Sequence, residues 1–324
     1  MWDFSIGRTL GVVLRTWPYV LLRVVVYSAI CLAYILATGA GAGVGYGVGH
    51  IWPSSGGPPV FGLWGGIFGF GFVSLALYWL REYILYMVKA AHVAVMVHYL
   101  DGRDLPMGFG QIGYGRHVVS SRFMEANLLF ALDQLVKGVI AAIGRLLGGI
   151  ALLIPIPGLH GLASLVHTVI GMSLTYVDEV LLGYNVRTGS NTPWQTAQNG
   201  LVLYAQNGRN IVKNAIWLSV FMWVLTVIVF LFALAPAAAI LYAMPGQLAG
   251  WSFVLAIIFA LAFRAAVIEP ICIAALLQAY FKAIEGQTPD PAWTERLNGA
   301  SRHFREMKDR AADAFRGGEP SQAG

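Results

Sequence analysis

Residues 215–235, AIWLSVFMWVLTVIVFLFALA, run for 21 positions without one ionisable carboxylate or basic side chain. A helix needs about 20 residues to cross ~30 Å of hydrocarbon, and a run so apolar offers water no polar face. Further apolar runs cover residues 24–44, 62–99, 138–154, 159–186 and 248–281, which predicts six crossings. The whole chain is 57% hydrophobic and only 11% charged, where an average soluble domain carries about 25% charge. The runs are continuous rather than alternating, which excludes a β-barrel. The expected fold class is all-α: a polytopic integral membrane protein with amphipathic interfacial helices.

The net charge of +5 is not spread evenly. Arg8, Arg15 and Arg23 precede or open the first run, Arg103, Arg116 and Arg122 separate the second from the third, and Arg187, Arg209 and Lys213 separate the fourth from the fifth. The tail adds Lys282, Arg296, Arg302, Arg305, Lys308, Arg310 and Arg316, while residues 45–62 and 243–250 contain no Lys or Arg. That alternation follows the positive-inside rule and predicts both termini in the cytoplasm. The basic collars point to the lipid bilayer and its anionic headgroups as partners, rather than to nucleic acid. Arginine-rich usage and compact length suit a bacterial inner membrane.

One pattern recurs. Residues 175–214 carry Asp178, Glu179, Tyr184, Gly189 and Pro193; residues 87–123 carry Lys89, Tyr99, Gly102, Pro106, Phe109, Gly113 and Arg116; residues 266–305 carry Glu269, Tyr280, Gly286, Pro289, Trp293, Gly299 and Arg302. The N-terminal Trp2, Phe4, Gly7 and Arg8 read as the second half of the same pattern. Three two-span repeats are expected, at residues 1–105, 106–192 and 193–290, with 291–324 as a cytoplasmic amphipathic helix and tail. A plain alternative is that every cytoplasmic helix exit uses Gly, Pro and aromatic residues.

Local signals fill in the plan. Residues 3–16 place Ile6, Leu10, Val13 and Leu14 on one helical face, and Pro18 separates them from the first run, so an interfacial helix is expected. Gly39, Gly43 and Gly47 would form a smooth strip for helix packing, with an irregular loop as the alternative past Gly45. The run over 62–99 is too long for a perpendicular crossing, so either it tilts and projects or its glycine-rich start is not helical. Pro270 should kink the last run. From Pro291 onward, Trp293, Leu297, Phe304 and Met307 supply the apolar face of a tail helix.

Ionised groups inside apolar spans are costly and mark candidate sites. Tyr78, Glu82, Tyr86 and Lys89 share one helical stripe. Arg81, His167 and Arg264 stand 21 or 22 residues before Gly102, Gly189 and Gly286 and could form a basic ring. With Asp178, Glu179 and Glu269, these residues make up the expected polar path: Arg81, Glu82, Lys89, His167, Asp178, Glu179, Arg264 and Glu269. The bland counterpart is pairing or snorkelling of each charge, as for Arg145 with Asp178 or Glu179, or Asp133 with Lys137.

His92 and His98, and His160 and His167, lack a specific metal spacing. Cys31 and Cys272 read as small hydrophobes. No phosphate-cradling loop, zinc motif or nucleophile elbow is present, so no catalytic residue, cofactor or metal is expected and an enzyme is disfavoured. The reading is a transporter or channel for a small solute or ion. The alternative is a membrane scaffold or accessory subunit that meets membrane protein partners or further copies of itself.

Overall fold

The computed structural model describes residues 2–52, 57–108, 110–122, 132, 134–144, 146, 176–190, 192–242 and 251–317. Among the described residues all regular structure is helical: α1 (Ile6–Arg15), α2 (Trp17–Ile51), α3 (Gly57–Leu100), α4 (Gln111–Arg122), α5 (Val177–Thr188), α6 (Pro193–Gln206), α7 (Gly208–Tyr242), α8 (Trp251–Phe263), a π-helical turn (Arg264–Ile268), α9 (Glu269–Ala283), α10 (Pro291–Ala300) and α11 (Arg302–Gly317). Four segments are long and apolar enough to cross a membrane, Trp17–Ile51, Gly57–Ala76, Gly208–Ala235 and Ala256–Ala283. They carry four of the apolar runs read from the sequence. The other two, over 138–154 and 159–186, lie mostly outside the described residues.

The chain forms two compact units, each assembled from distant segments. One joins Met1–Pro18, Lys89–Trp223 and Glu269–Gly324; the other joins Tyr19–Val88 and Val224–Ile268.

In the second unit, α2 and the first part of α3 cross at glycine. A Cβ at Gly41 would run into the Gly65 carbonyl, one at Gly45 into the Phe61 carbonyl and one at Gly69 into the Ala37 carbonyl. Backbones can come this close only where both helices lack side chains. The strip expected from sequence, Gly39, Gly43 and Gly47, instead faces open space. Two residues of offset turn a helix by about 200°, to its opposite side. The α-helix also continues to Ile51 rather than giving way to a loop past Gly45. The glycine-rich start of the 62–99 run is likewise helical, because α3 extends for 44 residues from Gly57.

Where a kink at Pro270 is expected, the structure shows a change of helix type. The five residues before Glu269 widen into a π turn, a common accommodation of a missing ladder hydrogen bond. Arg23 exploits this widening: it is 1% exposed, and its Nη2 donates to the Ala265 carbonyl at 2.6 Å. The sequence placed Arg23 among the interfacial charges; the structure buries it.

In the first unit, residues 90–97 of α3 are buried on every face. His92 lies in this stretch with its Nε2 3.0 Å from the Thr16 hydroxyl. Around it, α1 packs on α9, α9 on α5, and α5 on α6. The face of α1 that turns inward is Thr9, Val12 and Val13, while Ile6, Leu10 and Leu14 stay exposed, so the predicted apolar face is split.

The tail also differs from expectation. It is two helices broken at Ser301, whose Oγ accepts from the Phe304 N–H at 3.2 Å and caps α11. Leu297, Phe304 and Met307 are fully buried, and α10 and α11 pack on α6. Their apolar stripe therefore seals the protein's own core.

Candidate functional site

A left-handed glycine follows each of three helices that end in the first unit. Beyond α3, α5 and α9 stand Gly102, Gly189 and Gly286, all left-handed with φ of 72°, 68° and 70°. Glycine takes this conformation without the strain a Cβ would bring, which suits it to ending a helix. These are the glycines aligned in the recurring pattern.

Each of the three helices carries one member of an ion cluster. Lys89 on α3 donates from Nζ to Glu179 Oε1 on α5 at 3.2 Å and to Glu269 Oε1 on α9 at 2.9 Å. The side chains are 24%, 4% and 11% exposed respectively, so the carboxylates are nearly dry and the lysine is the more accessible member. Close packing brings the helices within reach: a Cβ at Gly183 of α5 would collide with Leu277 of α9 and press on Val97 of α3. Glu179 lies in the first turn of α5, where the helix dipole favours negative charge. Glu269 opens α9, immediately after the π turn.

Chemically, one ammonium bridges two carboxylates in a poorly hydrated place. Such a group of charges is stable only while every member keeps its partners.

The remaining predicted path residues are described only in part. Asp178 stands next to Glu179 in the first turn of α5 and is half-buried. Arg264 is half-buried in the π turn. Arg81 and Glu82 belong to α3, but their side chains lie outside the described residues, and so do His167, His160, Arg145 and Asp133.

His98 is occupied: its Nε2 lies 2.7 Å from the Asp104 carbonyl and its Nδ1 3.1 Å from the Tyr114 hydroxyl. The first contact makes Nε2 the donor and leaves Nδ1 to accept from the tyrosine. Cys272 is buried and Cys31 half-buried, both as thiols. Among the described residues, no three His, Cys, Asp or Glu side chains are grouped to hold a metal ion.

Sequence reasoning had Lys89, Glu179 and Glu269 as candidates but did not pair them. They stand at different distances from their glycines, so aligning the three segments does not superpose them. Arg23 was missed because a basic residue near the start of an apolar run looks like any interfacial anchor; the one available signal was its position inside the later helix.

No protein-family model matches this chain, and no curated protein or solved structure matches it either.

Proposed function

We propose that the protein is a multi-pass transporter or channel for a small cation or a solute moved with one, and that Lys89, Glu179 and Glu269 form its ionic switch. The observation that carries this reading is a lysine held between two nearly buried carboxylates drawn from three helices. Keeping such a group inside an apolar fold is costly, and binding a proton or cation in exchange for Lys89 gives it a use. Asp178, Arg264, Arg81, Glu82 and His167 complete the polar path in this proposal.

The same reading has six crossings, arranged as three two-span units, in a bacterial inner membrane with both termini cytoplasmic. Two observations favour the threefold plan: the matched left-handed glycines, and the matched junctions where α1 passes through Thr16 into a 35-residue helix and α6 passes through Asn207 into another of 35 residues. Anionic headgroups are the partners of its basic collars.

Purified protein in liposomes should conduct or exchange a cation under an imposed potential, and Glu269→Gln should reduce that flux at least tenfold while leaving the protein monodisperse. No flux for protons, alkali cations or a panel of cationic solutes would reject the proposal. A scaffold role is the second reading, favoured by the open face of Gly39, Gly43 and Gly47. It expects a co-purifying membrane protein and indifference to Glu269→Gln.

A further inference from the structure

A cavity of about 830 Å3 opens in the first unit where α3, α5 and α9 end, bordered by the N-terminal segment ahead of α1. Lys282, next to last in the candidate span Ala256–Ala283, lines it, together with Arg8, Arg187, Asp3, Asp101 and Glu285.

Some of these charges are already matched. Asp101 lies 3.0 Å from Arg187 and 2.5 Å from Arg103, and Asp3 lies 3.4 Å from Lys213. Arg8 donates to the neutral Leu100 carbonyl, and Arg187 rests on the Phe281 ring at 4.3 Å. Among the described residues, Arg8, Lys282 and Glu285 have no ion-pair partner within salt-bridge distance. The cavity thus presents two cations and one anion still able to take a ligand. At its edge the Trp2 and Phe4 rings stack with centroids 5.9 Å apart.

The balance of charge selects the ligand class. Three helix C-termini meet here, each with the equivalent of about −0.5 charge, so the basic groups are partly neutralised and a polyanion would find too little positive potential. A bare metal cation would meet guanidinium and ammonium groups, and a wholly apolar molecule would strand the charges without water. A zwitterion satisfies both signs. Arginine favours phosphate oxygens through its planar fork of donors.

The geometry points to a binding site for a phosphate ester that carries a primary amine, with the phosphate at Arg8 and Lys282, the amine at Glu285, and Trp2 and Phe4 against its apolar part. The same chemistry occurs in an aminophospholipid headgroup and in a free amino-phosphate. The assignment stands on this cavity and does not depend on the transport proposal.

The test has two arms. In the first, the full chain is placed in phosphatidylglycerol nanodiscs with or without phosphatidylethanolamine, and native mass spectrometry counts the lipid retained. In the second, detergent-solubilised protein is titrated calorimetrically with soluble glycerophosphoethanolamine. Wild-type protein should bind the amine-bearing phosphate in at least one arm. Binding in both assigns a site open to soluble zwitterions, and binding in the bilayer arm alone assigns a lipid headgroup.

Lys282→Gln and Glu285→Gln should each weaken binding on the order of tenfold, the loss of one charge-assisted hydrogen bond, and Arg8→Gln should act as Lys282→Gln does. Lys308→Gln, at an exposed position of α11, should leave the preference for the amine-bearing phosphate unchanged. The assignment falls if neither probe binds, if Glu285→Gln leaves the preference over phosphatidylglycerol intact, or if Lys308→Gln weakens that preference as much as Lys282→Gln.

Discussion

Lys89 bridges two nearly buried carboxylates. Replacing it with methionine keeps the length and removes the charge, so Glu179 and Glu269 would lose the ammonium that bridges them. Breaking a buried pair in this way costs about 3 kcal/mol. Lys89→Met should therefore lower the thermal unfolding midpoint in detergent, and adding Glu179→Gln and Glu269→Gln should recover most of the loss. No recovery would mean that Lys89 acts through packing alone.

Asp3 gives a pH-dependent prediction at the same scale. The hydrogen bond from Asn214, with help from Lys213, holds its carboxyl below the ordinary value of 3.8. A carboxylate whose pKa is lowered by folding stabilises the fold above its unfolded value and loses that contribution as pH falls through the folded one. The N-terminal segment should thus loosen from Asn214 only below about pH 4, visible as a change in tryptophan emission that Asp3→Asn abolishes. The Asp3 side chain is 38% exposed, so solvent screening keeps the effect small.

Among the elements, the pairing of α2 with α3 is the most exacting. Gly45 faces the Phe61 carbonyl with no room for a Cβ, whereas Gly43 faces open space. Gly45→Val should force the helices apart and cost about 1–3 kcal/mol. Gly43→Ala should be neutral, or stabilising by about 0.5–1 kcal/mol through the better helix propensity of alanine. Comparing the thermal midpoints of the two variants checks the assignment of the packed face. The π turn before α9 is a second element under constraint, because Pro270 has no N–H to give and Arg23 serves the Ala265 carbonyl in the widened turn.

At the scale of the molecule, the long helices carry many exposed apolar side chains, among them Leu32, Ile35 and Leu36 on α2, Trp64, Phe68 and Phe72 on α3, and Phe221, Leu231 and Phe232 on α7. Soluble monomers do not expose apolar surface on this scale, and a bilayer covers it. The proposed orientation makes a direct prediction. In intact cells, a membrane-impermeant maleimide should label Trp52→Cys, and should label Arg305→Cys only after lysis, each in a background lacking Cys31 and Cys272. The reverse pattern would invert the topology.

The sequence by itself determined the helical class and the segments suited to a membrane, because both follow from composition and run length, which are local and additive. It also marked the three helix ends, since a left-handed turn calls for glycine wherever it occurs. It could not choose between the two glycine faces of α2, because alternate glycines every second residue supply both; only the position of α3 decides. Nor could it join Lys89 to Glu179 and Glu269. Those side chains are 90 and 180 positions apart along the chain, and their meeting depends on the close approach of three helices at Gly183, a contact that exists only once the chain has folded.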